Sequence, residues 1–278
     1  DAPDASSIDA PIDGPTCTPP ADQPVVASVA TGELVIGPTQ QSNFVAVSYD
    51  DAQSILFTSL REREPSPQYG GVYCMLAQGS ASVGSGSGSG SAATVPGIEG
   101  RRSNAGTDSG LGTITVGWTV ATLSSGVNVQ RGLVSTTTNP ADIQLGSAVD
   151  LTTSFVLLNG ELAGGGGWGT NDFARATLGW GSGSGSGSGW ESLGSDVLEI
   201  RNDIPNSQTT WQVVTMAEAS VQIGSAYLGS ADLTTSVSIG SASPNALVLD
   251  TYYTDNASGI SASALMVQAT LSGSTLTF

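Results

Sequence analysis

Three observations predict an all-β chain. Short runs rich in Val, Ile, Leu, Thr and aromatics alternate with polar residues after Pro24. Gly, Ser, Asn and Asp punctuate those runs at turn-like intervals. A Trp-led alternating stretch followed by Val-Gln-x-Gly occurs at Trp118–Gly132 and again at Trp211–Gly224, which marks a junction between tandem units. No window holds a sustained 3.6-residue apolar period, and Ala217–Ala219 is the best helical fragment.

Residues 1–24 form a separate arm. It carries Pro at 3, 11, 15, 19, 20 and 24, five aspartates and no basic residue. Such a segment buries too little apolar surface to offset its ordering entropy, so it reads as a tether or extended arm. Asp1 opens the sequence without Met or a leader, as expected of a processed product.

Three units follow in order, at 25–125, 126–217 and 218–278. They open on Val29-Ala30-Thr31-Gly32, Val129-Gln130-Arg131-Gly132 and Val221-Gln222-Ile223-Gly224, with the glycines 100 and then 92 residues apart. A middle strand is expected at Ser54–Leu60, Ser154–Gly160 and Ala246–Tyr253. A third lies at Val72–Ala77, Phe173–Leu178 and Leu265–Leu271. A fourth lies at Thr113–Val116, Val197–Ile200 and Ser274–Phe278. The Trp strand closes the first two units and has no counterpart in the third. In the third unit only Ser272-Gly273 separates the last two strands, a tight hairpin turn. The longer stretches at the same place, 79–112 and 179–195, are therefore read as inserts, each with a Gly-Ser run that has no core of its own. The tetrapeptide Ile98-Glu99-Gly100-Arg101 within the first insert matches a tag-removal protease site and is expected to be accessible.

Composition narrows function. There are 24 acids against 7 Lys+Arg, a net charge of −17, which argues against nucleic acid and anionic membrane surfaces as partners. No apolar run reaches membrane-spanning length. Histidine is absent, which removes Ser-His-Asp, Cys-His and His-ligated metal chemistry. No cofactor is expected. Loosely bound calcium is compatible with the acids but no DxDxDG-type loop supports it, and Asp50-Asp51 reads as a turn.

Candidate sites are few. Trp168, Trp180 and Trp190 lie in Gly-rich segments and form a candidate contact surface, with loop anchoring as the alternative. Trp118 and Trp211 read as core. Cys17 and Cys74 could join the arm to the first unit in an oxidising compartment, or pair between molecules. The incomplete third unit and the arm make Pro24, Val25, Val26, Leu276 and Phe278 candidate assembly segments, since an open sheet edge is a docking template.

The Val-Gln-x-Gly openings, the strand order and the Trp-led strands at Trp118 and Trp211 resemble H-type lectin domains. That resemblance implies a sandwich of about six strands, trimeric assembly and binding of N-acetylgalactosamine-type sugars. The family's polar sugar contacts in its last strands have no positional match here, so the fold alone is carried over. The arm resembles the Asp/Ala/Pro-rich arms of secreted or lipid-anchored bacterial surface proteins. The expectation is a non-enzymatic, secreted or cell-surface structural protein. It would self-associate into a fibre or filament by arm or strand exchange. The alternative is a lectin-like adhesin with a glycan partner.

Overall fold

The computed structural model describes residues 24–62, 72–80, 94–102, 112–136, 140–162, 174–182, 190–192, 194–201, 207–224, 226–228, 232, 234–243, 246–251 and 269–278. The arm to residue 23, Cys17, Trp168 and the Gly-Ser runs lie outside them. No helix occurs among the described residues, as the sequence pattern predicts.

Six strands of the first unit fall among the described residues: β1 (Val26–Ile36), β2 (Ser42–Ala46), β3 (Ser54–Glu62), β4 (Val72–Ser80), β5 (Thr94–Arg102) and β6 (Ile114–Leu123). They make two antiparallel groups, ordered β1-β6-β3 and β2-β5-β4. One core spans both, drawing Leu34 and Ile36 from β1, Val116, Trp118 and Val120 from β6, Cys74 and Leu76 from β4, and Ile98 from β5. Two sheets that bury one face each against a shared core form a sandwich. In β6 Ile114, Val116, Trp118 and Val120 point inward while the residues between them are only half-buried, the period-2 signature of a strand covered on one side.

The second unit repeats this plan. Its strands are β7 (Val127–Thr136), β8 (Ala141–Gln144), β9 (Ser154–Leu162), β10 (Arg175–Leu178), the short ribbon β11 (Trp180–Ser182) with β12 (Trp190–Ser192), β13 (Val197–Arg201) and β14 (Ser207–Met216). Again β14 lies between β7 and β9, and β13 between β8 and β10. The turn before the middle strand recurs as well. Asp50 Oδ1 accepts the Ala52 and Gln53 N–H groups, and Asp150 Oδ1 accepts the Thr152 N–H. Asp50 thus serves the turn, as its sequence context suggests.

The third unit contributes β15 (Ser236–Ser238), β16 (Thr270–Ser272) and β17 (Thr275–Thr277), ordered β15-β17-β16. β16 and β17 are the hairpin expected around Gly273, whose φ of 59° is the left-handed turn conformation that glycine adopts without penalty. Residues 219–224 and 246–251 lie outside any strand, so the middle strand expected at Ala246–Tyr253 is not formed over its described residues.

Two further strand assignments change in the first unit. Thr113–Val116 is not a separate fourth strand: Ile114 opens the Trp118 strand itself, because Gly117 continues the ladder opposite Ser59. The position between β2 and β4 belongs instead to β5, which falls inside the stretch read as an insert. There Ile98–Arg101 pairs on both sides, with Ser42–Val45 across β2 and with Tyr73–Leu76 across β4. Ile98 is fully buried. The same position in β13 reads Leu198-Glu199-Ile200-Arg201, so the tetrapeptide is ordinary strand sequence rather than accessible linker. We expect the matching protease to leave the native chain uncut at Arg101 over a period in which it cleaves urea-unfolded chain; equal cleavage rates would contradict the strand.

Candidate functional site

The first two units meet at a seam built from hydrogen-bonding side chains as much as from apolar ones. Among the described residues β4 and β9 share one ladder pair, Tyr73 with Gly160, which joins β2-β5-β4 to β9-β14-β7 as one six-stranded sheet. Gly160 has φ +100°, and a Cβ there would collide with the Val72 carbonyl oxygen, so this approach requires glycine. Beside it, Ile55 and Leu123 of the first unit enclose Val129 and Val214 of the second, with Phe155, Leu157 and Met216 packed around them.

Gln212 is the polar centre of the seam. Its Nε2 donates to the Leu56 carbonyl at 2.8 Å and to Asn159 Oδ1, and its Oε1 accepts the Leu56 N–H at 3.0 Å. Asn159 Nδ2 also donates to the Leu56 carbonyl, at 2.9 Å. Leu56 lies on β3, whose other edge pairs with β6. The Gln212 amide therefore acts as a one-residue surrogate strand, satisfying the donor and acceptor that an edge strand would leave bare. This explains why β14 is buried on both faces at Thr210–Val214, whereas β6 alternates. Nearby, the Arg131 guanidinium donates to the Ser54 carbonyl at 2.6 Å, lies 3.4 Å from Asp51 and stacks 5.8 Å from the Tyr49 ring centre. A cavity of about 10 Å³ at this seam has room for about one water.

The recurring motif has a clear geometry. Trp118 pairs with Gly32, and Trp211 with Gly132, each across its own unit. A Cβ on Gly32 would lie 2.5 Å from Trp118 Cζ2, and on Gly132 2.7 Å from Trp211 Cζ2. The glycine ending the Val-Gln-x-Gly motif is thus the bed of the Trp ring. The glutamine of the motif has its own task. Gln130 donates to the Ser147 carbonyl and accepts its N–H, and Gln222 donates to the Ser241 carbonyl and accepts the Gly240 N–H.

The candidate residues from the sequence are distributed as follows. Trp180 and Trp190 stand on the β11–β12 ribbon, opposite Ser192 and Ser182 respectively, so their positions are diagonal neighbours. Cys74 is a free thiol in the first core, and burial pushes its pKa up to about 12. Val25 and Val26 are exposed, and Val26 pairs with Leu123 at the start of β1. Leu276 sits in β17, the middle strand of its sheet, and Phe278 exchanges both backbone bonds with Thr235. Among the described residues no group of three His, Cys, Asp or Glu could hold a metal ion, and no helix is long and apolar enough to cross a membrane.

Sequence reasoning missed Gln212. Its signal was local: Trp-Gln-Val-Val puts apolar residues on both faces of β14, which calls for a covering neighbour on each side. What the fold and the seam define is a class: an all-β protein of sandwich-like units, stacked through a covered outer sheet face. No family model, curated protein or solved structure matches the chain.

Proposed function

We propose that the chain is a non-enzymatic, secreted or cell-surface structural protein of bacterial type, built as three sandwich-like units and assembling with itself into a fibre or filament by arm or β-strand exchange. One contrast carries this reading. Val129 of the second unit is 6% exposed because the first unit covers it, whereas its counterpart Val29 is 58% exposed. Val35 and Phe57, on strands of the same sheet, are exposed too. An apolar sheet face that is covered at one junction and bare at the next supports head-to-tail stacking between copies, a heterologous contact that does not close.

Light scattering over a concentration series tests this. The chain should form species larger than the monomer, and Val29→Asp should shift them towards monomer. A monomer at every concentration, before and after deletion of residues 1–24, would remove the assembly reading. The alternative, a lectin-like carbohydrate-binding adhesin, draws on the diagonal placement of Trp180 and Trp190; a glycan array without signal would remove it.

A further inference from the structure

We infer that the outer edge of β1, at Val29–Glu33, is a pairing surface for β1 of a second copy of this chain, antiparallel about a two-fold axis at Thr31. The inference goes beyond stacking through the sheet face, because the edge is a different surface and a two-fold contact between identical strands closes on itself.

The sheet β1-β6-β3 leaves β1 at its edge, with β6 along one side. In an antiparallel ladder alternate residues turn both backbone groups towards the partner or away from it. The Val35 carbonyl is turned away, since Asn43 Nδ2 donates to it at 2.6 Å. Val29, Thr31 and Glu33 share that parity, because the pairing with β6 is regular from Ser28 to Ile36. Their N–H and carbonyl groups therefore form a row along the outer edge, and among the described residues no group bonds to that row. The same orientation recurs in the second unit, where the Val129 N–H points away from β14 and donates to the Ala52 carbonyl at 2.8 Å.

Proteins blunt such edges with charge, proline, bulges, short strands or a covering neighbour. β1 has little of this. Its eleven residues, VASVATGELVI, hold no proline and one charge, Glu33. Its bulge, between Val26 and Ser28, falls before the bare row. Other edges among the described strands are protected. Gln212 and Asn159 cover β3 at Leu56. On β7 the Ala52 carbonyl takes the Val129 N–H, and the charged Arg131 stands where β1 has Thr31. β2 has five residues, and β8 and β10 have four each.

Self-pairing centred on Thr31 uses the whole row. Thr31 faces its own counterpart and Val29 faces Glu33 of the second copy, which gives about six interchain hydrogen bonds. A Thr–Thr pair is favourable across strands, whereas like charges directly opposite are not. In this register the two Glu33 carboxylates stand four residues, about 13 Å, apart along the strands. Centring on Glu33 instead would set them face to face. Copies of a chain with net charge −17 repel one another, and a row with a single charge is where two of them can approach, so added salt should tighten the pairing. The product is one continuous sheet, β3-β6-β1-β1-β6-β3, with Val35 and Phe57 still on its exposed face.

Analytical ultracentrifugation of the full chain tests the edge. A monomer–dimer equilibrium is expected, tighter at higher salt. Thr31→Pro should weaken it at least about tenfold, because each strand loses one outward donor. Circular dichroism should stay unchanged, because that N–H does not serve the β6 ladder and an edge strand tolerates proline there. Disulfide capture in a Cys17→Ser chain reads the register. Thr31→Cys should give a covalent dimer, since the facing Cα atoms of a hydrogen-bonded pair lie about 5.5 Å apart, within disulfide reach. Val29→Cys should not, because its two copies lie about 13 Å apart. A monomer at every concentration and salt, a dimer indifferent to Thr31→Pro, or equal capture by the two cysteine variants overturns the pairing. So does a dimer that forms only once residues 1–24 are deleted, which would make the arm the occupant of the edge. A dimer without larger species keeps the edge contact and removes the fibre. Larger species indifferent to Thr31→Pro keep the fibre and remove the edge contact.

Discussion

Trp211→Ala is expected to remove about 3–5 kcal/mol of stability, the range for truncating a large buried aromatic. The ring is 8% exposed and belongs to the core of the second unit with Leu145, Leu178, Leu198, Ile200 and Val213. It also lies across Gly132 in the paired strand. Truncation therefore loses the apolar burial and opens a cavity against a glycine that has no side chain with which to fill it. The converse change, Gly132→Val, places a Cβ 2.7 Å from Trp211 Cζ2 and should cost about 1–3 kcal/mol by overpacking. Because the two residues share one contact, the double variant should be less unstable than the sum of the singles. Urea unfolding followed by circular dichroism measures all three. An unchanged midpoint for Trp211→Ala would mean that the ring is not a core element.

The second large effect is expected at Gln212. Replacement by Leu preserves approximate bulk but strips the Leu56 N–H of its acceptor and leaves the Leu56 carbonyl and Asn159 with fewer donors. A buried polar group left unmatched costs about 1–3 kcal/mol, so a loss of roughly 3 kcal/mol is expected for the site. The loss should concentrate at the seam, because Trp211 and Val213, which face the core, are untouched. Hydrogen exchange at the Leu56 amide reports it directly. Exchange should accelerate more there than at Val120 in β6. Equal protection of the Leu56 amide in the Gln212→Leu variant and the unchanged chain would show that the Gln212 amide does not carry the seam. Adding Asn159→Leu should deepen the loss, because it takes away the remaining side-chain donor to the Leu56 carbonyl.

Much of the architecture was legible in the residues. Alternation in Ile114–Val120, the hairpin around Gly273 and the recurrence of Trp with Val-Gln-x-Gly are local patterns, and local patterns report strand and turn directly. The errors arose where locality fails. Gly117 looked like a break between two strands, yet a glycine facing Ser59 can continue a ladder. Ile98–Arg101 looked like linker beside a Gly-Ser run, yet its alternation of Ile98 with Gly100 faces the core and it pairs with two strands from other parts of the chain. Nothing within four residues announces that.

By itself, the sequence determined that this protein is all-β and that Trp118 and Trp211 belong inside, because hydrophobic period and turn chemistry are written residue by residue. Only the tertiary structure decided which strands are neighbours. The Trp strand sits between the first and third strands of its unit, partners that lie tens of residues away, and such pairing is chosen by the packing of whole sheets. It also decided the fate of the outer faces. Val29 and Val129 occupy the same place in the same motif, and one is bare while the other is buried, because burial depends on whether a neighbouring unit stands against it.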